Sequence, residues 1–172
     1  MDFNELMAAR YSVRKLSDRP VTDQQIESIL KAAQIAPSAV NKQPYKIWVL
    51  RTPQALKHAG ECTKFDFIAN AQVVFVIGAK SDEAWVRPAD QHNFAEVDAA
   101  IAATHMMLEI TNLGLGTTWV GHFDPDKLKG FFHQMRGYQL ICMFGIGYPA
   151  EDSQPSPRHD ECKPMEALVE KL

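Results

Sequence analysis

The sequence predicts an α+β fold, a mixed β-sheet flanked by helices, and three observations carry the prediction. Helix-like and strand-like segments follow one another as α, α, β, α, β, loop, α, β, α, β and tail, without the regular βαβ alternation of a doubly wound parallel sheet. The chain has 172 residues, 46% hydrophobic and 23% charged, enough to bury a real core in, most simply, one domain spanning residues 1–172. No GxGxxG motif is present, and Gly114-Leu115-Gly116 follows a helix rather than a strand, which argues against a Rossmann crossover.

Taken in order, Asp2 to Ala9 reads as a short helix capped by Asp2, with Phe3, Leu6 and Met7 on one side. Arg10-Tyr11-Ser12-Val13-Arg14 follows. If it is extended, alternation puts Arg10, Ser12 and Arg14 on one face, with the arginines leaving the backbone roughly 13 Å apart. Such a face suits the two ends of an elongated anion; two solvated arginines at a helix exit are the other reading. Thr22-Asp23-Gln24-Gln25 is a capping box opening a helix with Ile26, Ile29, Leu30 and Ala33 on one face, stopped by Pro37. Pro37 to Pro44 is a loop rich in small and amide residues. Tyr45–Arg51 and Gln72–Ala79 have the β-branched and aromatic content of strands, with a short helix at Pro53–Gly60 between them. Ser81 to Asn93, carrying Trp85 and His92, shows no periodicity and is expected to be a long surface loop.

Phe94 to Leu113 is apolar almost all round, so it is a helix buried on several sides. Either it is the centre of one core, or part of it faces a second subunit. Gly116 to Phe123 reads as a strand or extended turn, Asp124-Pro125 opens a helix through Phe132, and Gln139 to Tyr148 is a further strand. The proline-rich remainder is extended up to a last turn near Met165 to Val169.

Composition and motifs exclude more than they assign. A net charge of −3 with scattered basic residues gives no reason to expect nucleic acid. Apolar runs are short and no lipidation motif is present, so no membrane association is expected and the cytoplasm is the default location. Three cysteines without a CxxC pair indicate neither a disulfide framework nor a thioredoxin-like site. His58 with Cys62, and His159 with Cys162, lack the further ligands a zinc site needs, so no metal is expected. No HExxH motif, GxSxG elbow or paired nucleophile and base stands out. Anion-binding loops without a resident acid, base or nucleophile point to a cofactor as the source of reactivity.

Four segments in order resemble the FMN-dependent nitroreductase family: Arg10-x-Ser12-x-Arg14, Ala36-Pro37-Ser38-Ala39-x-Asn41-x-Gln43-Pro44, Gly114-Leu115-Gly116-Thr117-Thr118-Trp119-Val120-Gly121, and Gly145-Ile146-Gly147-Tyr148-Pro149 with Arg158. The resemblance spans nearly the whole chain. It implies a nitroreductase-like fold in an intertwined homodimer with FMN at the interface. It also implies a ping-pong NAD(P)H oxidoreductase that passes a hydride through flavin N5 to nitroaromatics, quinones or similar small-molecule acceptors. Flavin storage without turnover, and other flavin reactions such as dehydrogenation, dehalogenation or flavin fragmentation, stand as alternatives. By resemblance, Arg10 and Arg158 meet the FMN phosphate, Ser12 the ribityl or phosphate oxygens, and Arg14 the pyrimidine edge. Pro37, Ser38, Ala39 and Asn41 come from the partner subunit, and a backbone N–H of Trp119-Val120-Gly121 faces N5. Two departures stand out: no lysine accompanies Arg158, whose nearest preceding polar residue is Ser156, and Thr63-Lys64 stand where relatives often carry an amide against the ring. Trp85 and His92 are candidates for substrate contact.

Overall fold

Helix starts in this protein are written into short polar signals. The structure is a computed structural model that describes residues 2–172. Helix α1 (Phe3–Ala9) opens on a reciprocal box: the Glu5 N–H donates to the Asp2 carboxylate and the Asp2 N–H to the Glu5 carboxylate, both at 2.9 Å. Helix α2 (Asp23–Gln34) opens on the same device built from Thr22 and Gln25, and it buries Ile26, Ile29 and Ala33. Each cap satisfies amides that the first turn leaves without partners and contributes about 1 kcal/mol. Helices α3 (Pro53–Gly60) and α5 (Pro125–Phe131) use Thr52 and Asp124 as caps, each with proline in the first turn, where a missing N–H costs nothing.

Strands β1 (Tyr45–Leu50), β2 (Val73–Ala79), β3 (Trp119–Val120) and β4 (Gln139–Ile146) form a sheet of order β1-β2-β4-β3. These strands pair antiparallel throughout, with Tyr45 opposite Ala79, Val73 opposite Ile146 and Trp119 opposite Phe144. Among the described residues, the parallel character expected of a mixed sheet is confined to an isolated bridge at its edge, Ser12 to Thr117. Every residue of β2 is buried, because helices cover both faces. Val73, Phe75 and Ile77 pack with α2 and with α4 (Ala95–Asn112). Val74 and Val76 pack with Ile68, Ala59 of α3 and Leu128 of α5.

Helix α4 settles part of what its apolar sequence left open. Ala95, Ala99, Ala102, Ala103, Met106 and Ile110 are buried in the chain's own core, whereas Val97 is 40% exposed and Ile101 and Leu108 are only half-buried. Among the described residues no helix is long and apolar enough to cross a membrane.

Two segments differ from expectation. Trp85 to Phe94 is a tight hairpin rather than an irregular loop: Val86 bridges Asn93, the Arg87 N–H donates to the His92 carbonyl at 2.9 Å, and the Phe94 N–H to the Trp85 carbonyl at 3.1 Å. Its stabilisers are an Arg87–Asp90 ion pair at 2.5 and 2.7 Å, Gln91 in the left-handed region at φ 58°, and Trp85 and His92 packed on Phe94 with ring centroids 5.1 and 4.9 Å away. None of these leaves an alternating apolar pattern in the sequence. In the expected strand from Gly116 to Phe123, only Trp119 and Val120 are regular, because Gly116 and Thr117 engage two different neighbours as isolated bridges.

Candidate functional site: an arginine-lined cleft at the sheet edge

Arg10 ends α1 with extended backbone at φ −65° and ψ 122°, and the chain then runs along the sheet edge. The Val13 N–H donates to the Thr117 carbonyl at 3.0 Å, and the buried Thr118 hydroxyl donates to the Val13 carbonyl at 2.7 Å. Further on, the Ser17 N–H donates to the Tyr148 carbonyl at 2.8 Å and the Ala150 N–H to the Lys15 carbonyl at 3.0 Å. Val13 is 2% exposed and sits directly on Gly116, where an added Cβ would come within 2.6 Å of Val13 Cγ2. That close approach explains the glycine. With Val13 turned inward, the period-two alternation turns Arg10, Ser12 and Arg14 the other way.

Those three residues line a cavity of about 260 Å³ together with Ser156, Arg158 and His159. Tail and edge are joined by the Tyr11 hydroxyl, which donates to Ser153 Oγ at 3.2 Å, by the Tyr11 ring edge-on to His159 at 6.4 Å, and by the exposed Lys15–Asp152 pair at 2.5 Å. Ser156 caps the turn Pro157–Asp160, accepting the Arg158 N–H at 3.3 Å. Three guanidinium groups line the cavity with no acidic residue among its walls. Among the described residues none of Arg10, Arg14 and Arg158 pairs with a carboxylate. Such a cleft is preset for an anion, and planar guanidinium donors suit phosphate oxygens best.

Behind it lies a crevice of about 30 Å³ lined by Arg10, Tyr11, Ser12, Met107, Thr111, Thr117 and Trp119. Thr117 is 6% exposed and its hydroxyl has no partner among the described residues. Trp119 is half-buried, edge-on to Phe144 at 5.6 Å. Val120 is buried and Gly121 is exposed. The crevice thus connects the arginine face to the start of β3. Thr63 and Lys64 lie farther along, in a separate hollow with Cys62, His122 and Asp124, where the Thr63 hydroxyl donates to the His122 carbonyl at 2.7 Å.

Pro37, Ser38, Ala39 and Asn41 line neither the arginine cavity nor the crevice behind it. They sit at the other end of α2. There Ser38 Oγ accepts the Gln43 N–H at 3.0 Å and Asp98 Oδ1 accepts the Ala39 N–H at 2.8 Å. Val40, Asn41 and Gln43 are left-handed, at φ 52°, 57° and 50°, a conformation costing about 1–2 kcal/mol for each residue with a side chain. Val40 is also 72% exposed, so burial of its side chain does not offset the strain. Tyr45, whose hydroxyl donates to the Ala33 carbonyl at 2.9 Å, has its phenol held above the ordinary value by burial and then by the Asp98 charge.

The cleft therefore contains Ser156 and His159, and the crevice Thr117, which sequence reasoning did not assign to the site. In the sequence Ser156 stands only as the nearest polar residue before Arg158. Thr117 lay inside the Gly114–Gly121 segment but without a role. Asp98, the one acid buried in α4, carries a signal in the sequence: it is the lone carboxylate in the apolar run Val97–Ala103.

Fold and cleft together define an α+β protein with a cationic cleft at the open edge of an antiparallel sheet. The model of the nitroreductase family matches residues 7–64 and 56–148, and the chain belongs to that family. It is similar to the crystal structure of a nitroreductase family protein from Clostridium difficile 630, with a TM-score of 0.89, 29% identity, and 99% of this chain and 98% of the other covered. It is 27% identical to a Thermus thermophilus protein named NADH dehydrogenase, over 98% of this chain and 95% of that protein. It is also 27% identical to a Bacillus subtilis protein named FMN reductase [NAD(P)H], over 86% of this chain and 66% of that protein.

Proposed function

We propose that residues 1–172 form one FMN-binding domain of an NAD(P)H oxidoreductase that reduces nitroaromatics, quinones or similar electron-poor small molecules by ping-pong turnover. The observation that carries this reading is the cavity lined by Arg10, Ser12, Arg14 and Arg158 in a chain of the nitroreductase family. The name of the Bacillus subtilis relative supports FMN as the cofactor and NAD(P)H as its reductant. The donor set fits FMN: cationic groups for a phosphate, hydroxyls for a ribityl chain, and the unpartnered Thr117 hydroxyl beside them.

Bound FMN would supply the hydride-accepting and hydride-donating ring; the chain supplies binding and electrostatics. Arg10 and Arg158 hold the phosphate, and Ser12 hydrogen-bonds the phosphate or ribityl oxygens. Arg14, exposed at the outer end of the stretch, serves the pyrimidine edge, where a cation stabilises the charge that accompanies reduction. A backbone N–H of Trp119-Val120-Gly121 would hydrogen-bond the flavin ring, so that no catalytic side chain is needed.

The Pro37–Asn41 loop reaches the cofactor of a second copy, which makes the active form a homodimer. This is supported by the loop's separation from its own chain's cleft and by exposed apolar side chains at Phe3, Met7, Ile35, Val40 and Val97, which gain from burial against a partner. The test is oxidation of NADH and of NADPH by the FMN-loaded protein with menadione or a nitrofuran. Acceptor-dependent oxidation with at least one nucleotide is expected. No oxidation with either refutes the reductase, and failure to take up FMN refutes the cofactor.

A further inference from the structure

Asp98 lies in the first turn of α4 and is 1% exposed. One carboxylate oxygen accepts the Ala39 N–H at 2.8 Å, across 59 residues of sequence, while the other is buried without a partner among the described residues. Its position at a helix N-terminus eases the burial of a negative charge. Even so, a carboxylate with one oxygen unmatched is a poor choice for packing alone, since desolvation opposes it.

What Asp98 does hold is a junction. Ala39 is the first residue of the turn Ala39–Asn41 and directly precedes the left-handed residues Val40 and Asn41, with Gln43 left-handed two residues further on. The Asp98 N–H donates to the carbonyl of Phe94, the last residue of the Trp85–Phe94 hairpin, at 2.9 Å. Past the loop, the Lys80 N–H donates to the Pro44 carbonyl at 2.8 Å and extends the β1–β2 pairing of Tyr45 with Ala79 by one residue. Asp98 thus ties the start of α4 to the loop by holding the Ala39 N–H from outside, while Ser38 within the loop accepts the Gln43 N–H.

We infer that Asp98 is a positioning residue: its carboxylate, by holding the Ala39 N–H, keeps the Pro37–Asn41 loop in the left-handed conformation in which it meets the cofactor. This rests on the proposal that the loop closes the FMN site of a second copy. The residue touches neither cofactor nor substrate; it acts through the loop.

Three substitutions in the full chain test it. Asp98→Asn keeps an acceptor oxygen for Ala39, whereas Asp98→Ala removes it. Ala39→Pro deletes the donor instead; proline suits the first residue of a turn, and the preceding Ser38 is already extended at φ −142° and ψ 158°. FMN affinity, the visible circular dichroism of bound flavin and the melting temperature of the apo form are measured for each. Asp98→Ala and Ala39→Pro are each expected to weaken FMN binding about tenfold and to alter the flavin dichroism, and the double variant to be no weaker than either single one. Asp98→Asn is expected to stay within about threefold of the unmodified protein, with its spectrum.

A contact serving stability alone would lower the apo melting temperature and leave the spectrum of bound flavin unchanged; that result overturns the inference. So does wild-type affinity in Asp98→Ala, loss in Asp98→Asn equal to that in Asp98→Ala, or multiplying losses in the double variant. Should Asp98→Ala not fold, Asp98→Asn against Ala39→Pro decides in the same way. If the unmodified protein takes up no FMN, the proposed function falls and this inference with it; normal uptake with indifferent variants overturns only the role of Asp98.

Discussion

Replacing Arg10 by alanine probes the cleft most directly. Arg10 is half-buried and lines both the arginine cavity and the crevice with Thr117. A charge-assisted hydrogen bond from a partly desolvated guanidinium to phosphate contributes about 1.5–3 kcal/mol, which raises the Kd for FMN between about ten- and a hundredfold. Arg158 is exposed, so water screens its contact, and Arg158→Ala costs about 1 kcal/mol, roughly fivefold. The assay is a titration of apoprotein with FMN and with riboflavin, followed by quenching of flavin fluorescence at low and high salt. Because only FMN carries the phosphate, Arg10→Ala weakens FMN and leaves riboflavin unchanged, and the salt dependence of FMN binding flattens. Val13, Thr117 and Thr118 anchor the stretch without the Arg10 side chain, so the melting temperature of the apoprotein stays nearly constant. Unchanged FMN affinity, or an equal loss for riboflavin, would refute the phosphate assignment.

Gly116→Ala places a methyl group 2.6 Å from Val13 Cγ2 and 2.7 Å from Val13 Cβ, and overpacking of this kind costs about 1–3 kcal/mol. Urea denaturation measures that loss, and FMN binding weakens with it because the arginine stretch must shift. Thr118→Val removes the donor to the Val13 carbonyl and costs about 1–2 kcal/mol by the same measurement; a neutral outcome would mean the stretch is held elsewhere. Among the thiols, Cys162 is exposed whereas Cys62 and Cys142 are buried, and burial pushes the Cys62 thiol from 9.0 up to about 11. Native alkylation with iodoacetamide near neutral pH therefore modifies Cys162 first, and equally fast labelling of Cys62 contradicts the shift. Since the folded state holds the Cys62 proton more tightly than the unfolded chain, its contribution to stability is complete below about pH 9 and is lost as pH rises towards 11. Urea midpoints across that range show the decline.

The helices and the long strands were legible because their causes are local. The Asp2 cap and the Thr22–Gln25 capping box are present in the structure, and the β-branched and aromatic content of Gln72–Ala79 marked a strand, which the structure shows as Val73–Ala79. The face shared by Arg10, Ser12 and Arg14 was also readable, since alternation along extended backbone needs no partner to be known. The hairpin at Trp85–Phe94 was not, because an ion pair and ring packing onto Phe94 hold it rather than periodicity. Sequence alone thus determined the residue types along one wall of the arginine-lined cleft and which of them point the same way. Tertiary structure decided what completes the site. Ser156 and His159 reach the cleft through a tail pinned at Ser153, Thr117 is buried behind it with a hydroxyl that has no partner among the described residues, and Asp98 meets Ala39 across 59 residues. Contacts of that kind depend on where the whole sheet brings distant segments, and no local pattern encodes them.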